Sequence, residues 1–185
     1  MPAKRIYVFA ITAALGATLA APLTFAEKLP SGPHTAAQSE IAKRLDSFES
    51  TAAELQNQTD HYAALVRANK PQRESHSREL SYAKEKINYL GRQLGELEKL
   101  SPEGTPLQQR AIEEARLHLQ AVADHVQSAI LMLNEDNRSH LTPEFKQTVS
   151  SINEQADNLY TKVDAITDYE KAQNRAMDAK ARSES

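Results

Sequence analysis

The sequence predicts an all-α protein, an antiparallel up-down-up-down four-helix bundle with a heptad, coiled-coil-like core. Three observations carry this. Apolar residues recur in alternating steps of three and four along four stretches of the chain. Those stretches are joined by short segments carrying Pro, Gly, Asn and Asp, the residues that punctuate helices. The chain has no Cys, no Trp and five glycines, so neither a disulfide framework nor a turn-rich β fold is indicated.

Residues 1–26 differ in composition from the rest. Lys4 and Arg5 precede an apolar or small run from Ile6 to Ala21, Pro22 breaks it, and Thr24-Phe25-Ala26 ends in a small residue. This pattern is that of a secretory signal peptide, with cleavage after Ala26 and a mature chain beginning at Glu27. The alternative is an uncleaved anchor, because Ile6 to Ala26 is about long enough to span a bilayer. Either way the protein is expected to be exported, periplasmic or secreted. Without Cys, it is not a lipoprotein acylated on cysteine.

The remaining 159 residues suffice for one domain with a core. They hold 20 basic and 25 acidic residues, a net charge of −5, with no basic block. Such a chain is not built to bind nucleic acid, where a basic patch supplies most of the affinity. No second apolar run is long enough to span, so no membrane span is expected in the mature chain.

Residues 27–34 (EKLPSGPH) read as a polar linker, and the bundle is expected over 35–178. The first helix carries the seam Ile41, Leu45, Phe48, Ala52, Leu55, Thr59, Tyr62 and Val66, and Asn69-Lys70-Pro71 ends it. The second carries Leu80, Ala83, Ile87, Leu90, Leu94 and Leu97, closed by the segment from Ser101 to Pro106. Thr105-Pro106-Leu107-Gln108 is a capping box with Pro at the first helical position. It opens a third seam of Ile112, Ala115, Leu119, Val122, Val126, Ala129 and Leu133. After Glu135 to Leu141, Thr142-Pro143-Glu144 caps a fourth helix and places an acid where the helix dipole favours it. Its seam is Phe145, Val149, Ile152, Ala156, Leu159, Val163 and Ile166. Residues 179–185 read as a frayed polar tail. Leu141-Thr142-Pro143-Glu144 is similar to the opening of a short motif in periplasmic stress chaperones of the Spy type, without the Gln that follows there; capping accounts for the same four residues.

Threading the seams antiparallel gives layers such as Tyr62/Leu80/Ala129/Val149 and Phe48/Leu94/Ala115/Val163, each pairing an aromatic with an alanine. Large-with-small layers are what native packing density requires. The alternative is a two-helix hairpin that dimerises into a similar seam.

The interior positions carry almost no polar group; Thr59 is the clear one, and its hydroxyl can bond a carbonyl one turn back. No nucleophile elbow, phosphate loop, dinucleotide fingerprint or zinc-protease motif occurs, so no enzyme activity and no cofactor are expected. The weak metal candidates are His118, His125 and Met132, spaced by sevens on the flank of the third seam. Seven residues rise about 10.5 Å, too far for two side chains to share an ion. On helix 2, Tyr82 and Tyr89 lie seven apart and outside the seam, followed by Gly91 and Gly95. These four are the candidate partner contact, since small residues allow another helix to approach closely. The expected function is therefore a non-enzymatic exported bundle acting through protein contacts in the cell envelope, as a scaffold, adaptor or chaperone-like protein. A small-ligand or metal-binding bundle is the alternative. The partner is an unidentified protein, and the chain is a monomer or homodimer.

Overall fold

A computed structural model describes residues 35–68, 72–135 and 139–183; the expected signal peptide and the linker at 27–34 lie outside the described residues. Four helices form: α1 (Ala36–Arg67), α2 (Arg73–Leu100), α3 (Pro106–Glu135) and α4 (Pro143–Ser183). Short 3-10 turns at Ser101–Glu103 and Ser139–Leu141 precede α3 and α4. No strand occurs among the described residues.

The helix starts follow from side-chain oxygens that satisfy amides left open in the first turn. At α3 the Thr105 hydroxyl accepts the Gln108 amide at 3.1 Å, and Gln108 Oε1 accepts the Thr105 amide at 3.1 Å. The same reciprocal pair, Thr35 with Gln38, opens α1. Thr142 caps α4 by accepting the Phe145 amide at 3.2 Å. Helix α2 has no side-chain cap at Gln72; its first turn is held by packing, as described below.

The helices pack in a ring, α1 against α2 and α4, and α3 against α2 and α4, with the diagonal α1–α3 pair barely meeting. Cross-helix bonds fix the directions. Between α1 and α2, Ser47 meets Gln93, Glu54 meets Lys86 and Tyr62 meets His76, so one number rises as the other falls. Glu49 meets Thr167 and Thr59 meets Asn153 across α1 and α4. Thr105 meets Glu170 and His118 meets Gln155 across α3 and α4. All three pairs are antiparallel. Four helices of one chain make the bundle, and the Tyr62–His76 bond lies one turn from the Tyr62/Leu80 layer given by threading.

Every seam position named from the sequence is buried except Ile166, which is half-buried. Past Val163 the inward positions are Thr167 and Glu170 instead. The physical reason is drift: a straight helix turns once in 3.6 residues, so a 3.5-residue stripe slides round its surface unless the helix supercoils. The polar content of the interior is also larger than Thr59 alone. Thr51, His76, Gln108, Thr167 and Glu170 are buried too. Burying each Leu, Ile, Val or Phe side chain contributes about 1.5–3 kcal/mol as an upper estimate.

Helix α4 runs on to Ser183, into the segment 179–185. Ala176, Met177, Ala179, Lys180, Ala181 and Arg182 are all good helix formers, with no Gly or Pro to stop them. Residues 178–183 are exposed. Among the described residues, no helix is long and apolar enough to cross a membrane.

Candidate functional site

Helix α2 turns Leu80, Ala83, Ile87, Leu90 and Leu94 inward, which leaves Tyr82 and Tyr89 on the outside. Their exposures are 51% and 46%, so each ring has one wet face. Two heptad-spaced residues share a side of the helix. Between them and α1 runs an open groove of about 510 Å³, lined by Gln58, Glu79, Tyr82, Glu85, Lys86 and Tyr89. Its floor is tied across the two helices. Gln58 Nε2 donates to the Glu79 carbonyl at 3.4 Å, and Lys86 pairs with Glu54 of α1. The Arg92 guanidinium stands 5.5 Å from the Tyr89 ring centre, within range of a cation–π attraction. Aromatic faces bordered by charges of both signs can bind a peptide or helix surface.

Gly91 and Gly95 do not join this face: at about 100° per residue they lie about 180° and 220° round α2 from Tyr82, outside the groove's lining. The four candidate contact residues are therefore split between two sides of the helix. A Cβ placed on either glycine would meet nothing within 4 Å. Among the described residues no contact requires them, although each costs about 1 kcal/mol relative to Ala in a helix. Gly104 is different. A Cβ there would lie 3.2 Å from Ile41 Cδ1 and 3.3 Å from Gln108 Cβ, so this turn between α2 and α3 has room for no side chain without a shift.

The metal candidates are spread out. His118 lies between α3 and α4, with Nδ1 3.1 Å from Gln155 Oε1 and Nε2 3.6 Å from Glu114 Oε2. Met132 packs partly buried on the core, its sulfur 3.9 Å from the Thr148 hydroxyl, and His125 is half-buried. Among the described residues, no group of three His, Cys, Asp or Glu side chains is placed to hold a metal ion.

Two buried polar clusters, one at each end of the bundle, are absent from the sequence reading. At the end where α1 and α3 begin, Gln108 is fully buried and its Nε2 donates to the Gln38 carbonyl at 3.0 Å. This joins the two capping boxes. The Thr105 hydroxyl donates to Glu170 Oε1 at 2.7 Å, which ties in α4. At the other end His76 is 2% exposed, with its Nδ1 2.9 Å from the Tyr62 hydroxyl. Its ring lies edge-on to Phe145 at 5.0 Å and beside His140 at 5.4 Å. Arg73 donates to the Leu133 carbonyl at 2.8 Å and so caps the end of α3. Burial, with a smaller contribution from His140, holds the His76 imidazole down to about 4. Burial, with a smaller contribution from Glu79, pushes the Tyr62 phenol above its ordinary range. The signal for both clusters was in the spacing. His76 is four residues before Leu80, and Gln108 four before Ile112, so each seam extends by one more step.

Comparisons with family models, with curated proteins and with solved structures give no match to this chain.

Proposed function

We propose that the chain is a non-enzymatic, exported helical-bundle protein that works in the cell envelope by protein contact, as a scaffold, adaptor or chaperone-like bundle, and that the Tyr82–Tyr89 face of α2 makes the contact. One observation carries this reading: two half-exposed tyrosines, a heptad apart, line an open groove on a bundle whose interior is filled by its own side chains. Tyr and Arg are enriched where proteins bind proteins, because a ring buries much area at a small entropy cost. Arg92 beside Tyr89 adds the second of these. Export rests on the charged and apolar pattern of residues 1–26.

Site-specific photocrosslinking tests the face. A benzophenone amino acid replaces Tyr82 or Tyr89 in the full chain, and separately replaces Leu117 or Leu131, exposed residues of α3. Illumination of cells, followed by recovery from the extracytoplasmic fraction, is expected to give a discrete protein adduct from the two α2 positions and none from the α3 positions. An adduct of twice the chain's mass would make the partner a second copy. Equal labelling from all four positions, or none, would overturn the assignment of this face.

A further inference from the structure

Three side chains from three other elements meet His76 of α2: Tyr62 of α1, His140 of the 3-10 turn and Phe145 of α4. Nothing in a contact function requires a histidine there, since Leu or Phe would fill the same seam position without a polar atom. A neutral imidazole fits this place through a single polar bond. Its Nδ1 lies 2.9 Å from the hydroxyl of Tyr62, itself 2% exposed, and accepts from it in the tautomer that carries the ring proton on Nε2.

A second proton on the ring changes every part of this arrangement. Nδ1–H becomes a donor, so the Tyr62 hydroxyl proton must find another acceptor in a place with few. The charge then lies buried among the rings of Tyr62, His140 and Phe145, 5.0–5.7 Å away, and beside a second imidazole, His140, whose Nδ1 is buried without a hydrogen-bond partner. The charged and titratable groups facing the cluster add little compensation. On α2, Arg73 is a fixed cation three residues before His76, and its Nε is buried and unpartnered. Glu79, three residues after, bears on the Tyr62 phenol and makes no ion pair with His76. From α3 the group reached is the Leu133 carbonyl, already taken by Arg73. On α4 Phe145 is apolar, Glu144 is exposed and Lys146 is half-buried. No salt bridge reaches His76 or His140 among the described residues.

We propose that this end of the bundle is an acid-released latch: proton uptake on His76 undoes the Tyr62–His76–His140–Phe145 cluster and frees the first turns of α2 and α4, while the end built on Gln108 stays closed. The latch is independent of the Tyr82–Tyr89 reading. The direction follows from linkage. His76 holds its proton only below about pH 4 in the closed bundle, against an ordinary value of 6.5. The open form therefore binds the proton more tightly, and acid favours opening. Closed packing is at full strength above about pH 6.5 and is lost progressively from there down to about pH 4. Across that window the opening equilibrium rises by up to roughly tenfold per pH unit. The Gln108 cluster holds no histidine; its titratable member is the Glu170 carboxylate, which accepts the Thr105 hydroxyl, and it supplies the comparison end.

The test is amide hydrogen exchange of the full chain by NMR, corrected for intrinsic rates, together with histidine ring titration in the same samples. Between about pH 6.5 and about pH 4.5, protection at residues 73–80 and 143–149 is expected to fall by at least roughly tenfold. Protection at residues 108–115 and 90–97 is expected to change by less than about threefold. In His76→Phe, which keeps a ring and removes the proton site, the loss at 73–80 is expected to vanish. A wild-type His76 ring that titrates near 6.5 with protection unchanged would overturn the latch, as would an acid loss of equal size at both ends. Should His76→Phe fail to fold, the two ends of the wild-type chain still decide between these outcomes.

Discussion

Leu119→Asp is expected to unfold the bundle. Leu119 is a seam residue of α3, 5% exposed, with Ala115 and Val122 buried on either side of it in the same stripe. A carboxylate there would stand in the apolar core cluster. It must keep its charge in an apolar layer or take up a proton, at a cost of several kcal/mol either way. The lost leucine contacts add to that. Against a total stability of about 5–15 kcal/mol, the fraction removed is large. In a domain of this size each kcal/mol moves the midpoint by roughly 2–4 °C. A circular-dichroism melt should therefore show a midpoint lowered by more than about 10 °C, or no cooperative transition at all. A Leu119→Asp protein that melts like wild type would show that this seam is not core.

Gln108→Ala is the second large effect, and it arises from polar groups. The fully buried amide satisfies two backbone groups at once, the Thr105 N–H at the start of α3 and the Gln38 carbonyl in the first turn of α1. Truncation leaves the Thr105 N–H without its partner and removes the cross-helix bond to the Gln38 carbonyl, which keeps its place in the α1 ladder, where Ile41 and Gly104 pack tightly. An unsatisfied buried donor costs about 1–3 kcal/mol, so the truncation is expected to cost about 1–3 kcal/mol. Gln109→Ala is the matched control. Its side chain donates to the Gly104 carbonyl at 3.1 Å but is exposed, so its loss should stay within about 0.5 kcal/mol. Urea unfolding of the two variants separates them by midpoint at equal slope. Indistinguishable midpoints would mean that Gln108 is not the tie between the two capping boxes.

The two substitutions also mark what could be read from the sequence. Leu119 was legible because an apolar stripe repeats many times, so burial of Leu, Ile and Val predicts itself. The same regularity gave the antiparallel order and a register within about one turn, since short turns leave few other topologies. Gln108 and His76 were not read as core, because each polar residue looks like the end of a stripe and not its continuation. Only the partner explains why it is inside, and the partner lies far along the chain: Gln38 for Gln108, Tyr62 for His76. The slide from Ile166 to Thr167 and Glu170 was hidden for a related reason. The helix follows its own pitch, and Glu49 and Thr105 stand ready to accept or donate to those polar side chains. At the contact face, Tyr82 and Tyr89 were visible as an off-seam pair, whereas the groove beside them needed α1 to be in place.

The contact function is tested most directly by the double variant Tyr82→Ala/Tyr89→Ala, measured for stability and association together. Both rings are half-exposed, so the melting midpoint is expected to stay within about 2–4 °C of wild type. Photocrosslinking then reads association from Glu85, which lies between the two tyrosines in the groove. With the rings present, a benzophenone at Glu85 is expected to give the same adduct as one at Tyr82; in the double variant that adduct should fall by at least roughly tenfold, the loss of one aromatic anchor's contribution. An undiminished adduct from a double variant that melts normally would contradict the assignment of the α2 face as the place where this bundle meets its partner.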